Sequence, residues 1–104
     1  MTKITIDRRD WQIIADGHAG AMCAEGVDPV CCAVSTLMQT MLYTLRFMGY
    51  GMEHEVQDGY LRVTHVRGSG PITRELMTVY TTIGKGLEMI AEAYPEHVQV
   101  RHVY

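Results

Sequence analysis

Apolar and polar positions alternate over residues 3–7, where Ile4 and Ile6 sit between polar neighbours, and again over 11–16, where Trp11 and Ile13 repeat the pattern. A period of two predicts two short strands. Asp7-Arg-Arg-Asp10 turns the chain between them, without the glycine of the tightest hairpins. The alternation stops in a glycine-rich loop over 17–27, and from residue 28 the period changes. Val30, Val34, Leu37, Met41, Leu45 and Met48 recur at spacings of three and four, which predicts one helix with an apolar stripe. Met38 joins Met41 and Met48 as expected core. Asp28 suits the N-cap, Pro29 the first helical position, and Gly49 the stop.

Residues 52–57 and 60–67 read as a hairpin around Asp58-Gly59, a pair suited to a tight primed turn. Leu61, Val63 and His65 share one face of its second strand, and Tyr60, Arg62, Thr64 and Val66 the other. Gly68-Ser-Gly-Pro71 ends the hairpin. A second helix is predicted from Ile72 to Tyr94, burying Ile72, Leu76, Val79, Ile83, Leu87, Ile90 and Tyr94. Gly84 and Gly86 weaken it by up to ~1 kcal/mol each, which marks close packing or a bend. Pro95 stops it, and residues 97–103 alternate as a last strand. The predicted class is a two-layer α+β fold of order β-β-α-β-β-α-β, with two helices on one face of a mostly antiparallel sheet. The other face needs water or a partner subunit.

Composition narrows the setting. The 104 residues suit a single domain over 1–104, and 47% apolar with 20% charged residues excludes a disordered chain. No apolar run approaches the roughly 20 residues of a membrane span. The N-terminus lacks an apolar signal core, so cytoplasmic residence is expected. With a net charge of -3 and scattered Lys and Arg, no basic stripe offers itself to nucleic acid. Cys23, Cys31 and Cys32 are an odd, clustered set and read as reduced thiols.

One of these thiols has a helix start behind it. With Asp28 as cap, Cys31 lies in the first turn, where free backbone N–H groups and the helix dipole favour a thiolate. The same N–H groups are candidates to hold an oxyanion. Cys32 points about 100° away around the helix and reads as interior; Cys23 lies in the loop. His18, flanked by Gly17 and Gly20, is the nearest base, and a His18–Cys31 contact makes a minimal nucleophilic dyad. Ser35 lies one turn after Cys31 on the same side. Asp28 is open to two readings, a plain cap or an orienting group for an imidazole. Each residue also has a structural reading: a semi-buried helix cysteine, a turn histidine, a small packing serine, and ordinary turn glycines at 17, 20 and 26. His54, His65, His97 and His102 read as surface or sheet residues. A zinc site of His18, Cys23, Cys31 and Cys32 is disfavoured, because adjacent helical cysteines diverge and no C-x₂-C knuckle exists.

The stretch "GHAG" followed by "GVDPVCCAVS" resembles the ribosomal-processing cysteine protease family, called Prp, and the resemblance extends over nearly all of the chain. It implies a catalytic pair of His18 and Cys31, supporting roles for Asp28 and Ser35, and a substrate loop containing Gly17, Gly20 and Gly26. It also implies a small cytoplasmic homodimer needing no cofactor. The implied reaction is removal of an N-terminal extension from a bacterial large-subunit ribosomal protein, the one numbered twenty-seven. In this reading the precursor is the partner, and neither nucleic acid nor membrane is bound. The chain departs from the family at Pro29, at Cys32 and in a loop one residue longer. The alternatives are a noncatalytic peptide-binding or ribosome-assembly module, a structural dimer, and a thiol hydrolase of small esters.

Overall fold

Strands β1 (Thr2–Asp7) and β2 (Gln12–Asp16) precede helix α1 (Pro29–Phe47). The hairpin β3 (Met52–Gln57) and β4 (Tyr60–His65), helix α2 (Arg74–Ala93) and strand β5 (Val98–Val103) follow. The structure, a computed structural model, describes residues 1–22 and 26–104. The expected order and class are those observed. The strands form one sheet in the order β3-β4-β2-β1-β5, antiparallel throughout except for the parallel pair β1 and β5.

Register aligns the inward residues in rows across the sheet. One row runs Val100, Ile4, Ala15, Leu61, Val56, and the next His102, Ile6, Ile13, Val63, His54. The middle members are buried and the edge members are not, because only the centre lies under the helices. The outer face carries Lys3, Thr5, Gln12, Arg62 and Thr64. Arg62 pairs there with Glu53 and Glu55, so water suits this face. Among the described residues no helix is long and apolar enough to cross a membrane.

The predicted boundaries move where caps decide them. Helix α2 begins at Arg74, two residues after the predicted Ile72, because Thr73 caps it: its hydroxyl accepts from the Leu76 N–H, and Ile72 is left exposed. Tyr94 falls at the other cap and is exposed, while Tyr80 is buried and donates its hydroxyl to the Trp11 carbonyl. Trp11 lies just before β2 with φ +51, its ring edge-on to Tyr80 at 5.5 Å. In α1, Met38 and Leu42 are buried and Met48, at the C-cap, is exposed. Leu37 is half-buried because it faces α2 rather than the sheet.

Gly86 explains that contact. A Cβ on Gly86 would lie 3.0 Å from the Leu37 Cδ1, and one on Gly84 3.3 Å from the Ile6 Cδ1. The two glycines let α2 sit close to α1 and to the sheet. Gly86→Leu is expected to destabilise the protein by ~1–3 kcal/mol through overpacking. Gly86→Ala should stay near neutral, because the ~1 kcal/mol gain in helix propensity offsets the tight contact. Urea denaturation checks both.

Candidate active site

The site forms at the end of the sheet where β2 stops, the β3–β4 hairpin turns and α1 begins. Gly17 has φ +97, and a side chain there would run into the Met1 carbonyl, so the position requires glycine. Its N–H donates to the Gly59 carbonyl at 2.7 Å, and its own carbonyl accepts from the Thr2 hydroxyl at 2.9 Å. His18 is thereby laid on the hairpin turn, its Nε2 3.4 Å from an Asp58 carboxylate oxygen. Both side chains are largely exposed, so this pair orients the ring more than it stabilises the fold. Gly59, at φ +69, leaves the ring its place: a Cβ there would lie 2.9 Å from the His18 Nε2.

On the other side, Asp28 is extended, and one carboxylate oxygen accepts from the N–H groups of Val30 and Cys31 at 3.1 and 3.0 Å. Its other oxygen accepts from the Ala21 N–H at 3.2 Å, fastening the returning loop. Burial pushes this carboxyl up, but the Cys31 amide and thiol and the Ala21 and Val30 amides outweigh it, so it titrates below its ordinary 3.8. Asp28 therefore caps and clamps. The carboxylate beside His18 is Asp58, which the sequence presents only as a turn residue.

Cys31 is partly buried, and its Sγ accepts from the Ala19 N–H at 3.2 Å. Burial, foremost, and the hydrogen bond and charge of Asp28 push its thiol above the ordinary value. The Ala19 N–H and the Thr2 hydroxyl pull the other way without prevailing. The expected thiolate-favouring helix start is thus offset by burial and by the acid that caps it. The expected free N–H groups are also taken: Val30 and Cys31 by the Asp28 carboxylate, and Cys32 by the Asp28 carbonyl at 3.1 Å.

Gly17, His18, Cys31 and Ser35 line one cleft of about 200 Å³, walled by Val34, Val56 and Leu61 with Gln39 and Gln57 at hand. Ser35 accepts from the Gln39 side-chain amide at 2.9 Å. No hydrogen bond joins His18 to Cys31 among the described residues, an arrangement common before substrate draws a dyad together. Gly20 and Gly26 are exposed and stand outside the cleft lining. Cys32 is exposed rather than interior, since it faces away from both sheet and α2. Cys23 and the middle of the expected substrate loop lie outside the described residues. Among the described residues no group of three or more His, Cys, Asp or Glu gathers to hold a metal. Thr2, Asp58, Gly59 and Ala19 are site neighbours that sequence reasoning missed; strand pairing and loop closure bring them in, and neither leaves a local motif.

The family model described as "Cysteine protease Prp" matches residues 1–99. The chain belongs to the cysteine protease Prp family. Solved structures share its fold. The ribosomal processing protease Prp from S. aureus, in complex with a covalently linked product peptide, aligns at TM-score 0.76 and 21% identity, covering 97% of this chain and 96% of that one. The same enzyme with a substrate peptide aligns at 0.71 and 18%, with 97% and 96% covered. SMU.848 from Streptococcus mutans aligns at 0.70 and 22%, with 98% and 91% covered. No curated protein matches the sequence. Membership in the Prp family gives the cleft its context: a thiol and an imidazole facing one groove, in a family of cysteine proteases.

Two outcomes follow from the geometry. Asp28→Asn keeps an oxygen for the helix cap but removes the charge and acceptor that hold the Cys31 thiol up. Alkylation of Cys31 by iodoacetamide, followed against pH, should therefore begin at lower pH than in the wild type. The stabilisation Asp28 gives is present above its ordinary 3.8 and is lost as pH falls through its lower folded value. Gly59→Ala strains a positive φ, destabilising by about 1 kcal/mol, and displaces the His18 ring. NMR should show the His18 ring resonances shifting while those of His102, at the far end of the sheet, stay in place.

Proposed function

We propose that this chain is a cysteine endopeptidase whose catalytic pair is His18 and Cys31. The single observation that carries the reading is their meeting in one open cleft. His18 takes the thiol proton, and the sulfur attacks a peptide carbonyl. The imidazolium then protonates the leaving amine, and water resolves the thioester. Because burial and the neighbouring Asp28 disfavour the free thiolate, proton transfer is tied to the arrival of substrate. The cleft's apolar walls and its two glutamines suit an extended peptide.

The substrate is the N-terminal extension of a bacterial large-subunit ribosomal protein, the one numbered twenty-seven. Family membership supports this assignment, as do the S. aureus Prp structures with substrate and product peptides. The net charge of -3 favours a basic partner. The protein acts in the cytoplasm as a homodimer; Tyr43 and Phe47, exposed on α1, give a second copy an apolar surface to cover.

A peptide spanning the extension junction, digested and read by mass spectrometry, tests the reading. Wild type and Cys32→Ala should make one specific cut. Cys31→Ala should make none, and His18→Ala should be slower by about 10²–10⁴-fold. Binding without cutting by a folded wild type would instead identify a peptide-binding module.

A further inference from the structure

The acyl-transfer step needs a donor for the negative charge that forms on the attacked carbonyl oxygen. The three amides at the start of α1 are already engaged by Asp28. Among the described residues one other backbone N–H aims at the reacting atom, that of Ala19, 3.2 Å from the Cys31 Sγ. The oxygen of a tetrahedral adduct lies within about 3 Å of the sulfur that made it, inside the reach of a donor already pointed at that sulfur.

The residue carrying this N–H is held from three directions. The Ala19 methyl is buried. Two residues before it, Gly17 is tied to Gly59. On the far side of its Cα, the Ala19 carbonyl accepts from His97 Nδ1 at 2.8 Å. That bond crosses 78 positions of sequence and comes from a half-buried histidine just ahead of β5. Because a carbonyl only accepts, His97 carries its proton on Nδ1. With both peptide planes around the Ala19 Cα pinned, the N–H meets the developing charge without reorganising.

We propose that the Ala19 N–H is the oxyanion donor of this site and that His97 is a positioning residue that aims it. The inference rests on Cys31 being the nucleophile. A lone pair of the Cys31 thiolate forms the C–S bond while the carbonyl π pair moves onto oxygen. The Ala19 N–H passes from sulfur to that oxyanion. When the C=O re-forms, the bond to the leaving group breaks, and the leaving amine receives the proton that His18 took from the thiol.

The test separates acylation, which makes an oxyanion, from alkylation, which does not. Ala19 is replaced by lactic acid, exchanging only its N–H for oxygen, in a chain assembled by ligating a synthetic 1–22 thioester at Cys23. Acylation of Cys31 by p-nitrophenyl acetate and its alkylation by iodoacetamide are each followed against pH by peptide mass mapping, and the high-pH plateaus are compared. In the Ala19 ester both profiles should shift to higher pH, because the thiolate has lost a donor. Only the acylation plateau should fall, by about 10²-fold, while alkylation stays within about 3-fold of wild type.

His97→Asn, whose amide nitrogen takes the place of Nδ1, should retain wild-type plateaus. His97→Phe, which keeps the ring without the donor, should lose about tenfold in acylation alone. An unchanged acylation plateau, or acylation and alkylation falling together, overturns the proposal; if the ester variant does not fold, the His97 pair decides by the same criterion. A wild type that acylates as expected but cuts no peptide refutes the protease reading and leaves the donor assignment standing.

Discussion

Two oxygens of one carboxylate hold the site together. Asp28 closes the first turn of α1 with one and ties back the returning loop with the other. The helix could begin with a serine or threonine at this position, since either hydroxyl caps an N-terminus. Neither reaches in two directions. The double grip sets where Cys31 stands relative to the segment that carries His18 and Ala19, two pieces of chain that share no strand or helix.

That grip has an electrostatic consequence. A capping acid steadies the helix but opposes a second negative charge one turn away, and here burial, together with that opposition, prevails over the Ala19 N–H and Thr2 hydroxyl that favour a thiolate. The resting cysteine is held as a thiol, less open to oxidation and to stray electrophiles than a thiolate would be. The His18 imidazole lines the same cleft but is anchored elsewhere, on the hairpin turn. The cleft thus holds a thiol and an imidazole, the pair on which the proposed acyl transfer rests. In the proposed mechanism the bound peptide draws imidazole and sulfur together.

Local signals in the chain carried most of the architecture. The change of period at residue 28, the Asp-Pro pair and the Asp-Gly turn are each written in adjacent residues, and the elements they predict are present. The apolar stripe starts α2 at Ile72, two residues early, because it takes no account of the Thr73 hydroxyl that caps the helix before Arg74. Cys32 was read from its apolar neighbours and is in fact exposed. The site was half legible. Glycine, histidine and a helix-start cysteine are local features, but what surrounds them is not. Asp58 reaches His18 only because β4 pairs with β2, so that the hairpin turn lies beside the end of β2. Thr2 reaches Gly17 only through the β1–β2 register. Nothing in a one-dimensional pattern distinguishes that sheet order from the others the same strands allow.

The parallel pairing of β1 with β5 joins the earliest and the latest segments of the chain. Thr2 and His97, contributed from those two segments, both bear on the short stretch between β2 and the helix. During synthesis the thiol is made well before His97, so its surroundings stay incomplete until that later segment leaves the ribosome. Sites assembled from such distant contacts form late in folding. A partly made chain therefore carries the Cys31 thiol without the contacts that frame it in the folded protein. The surroundings of the thiol are thus a property of the finished sheet and not of any local segment.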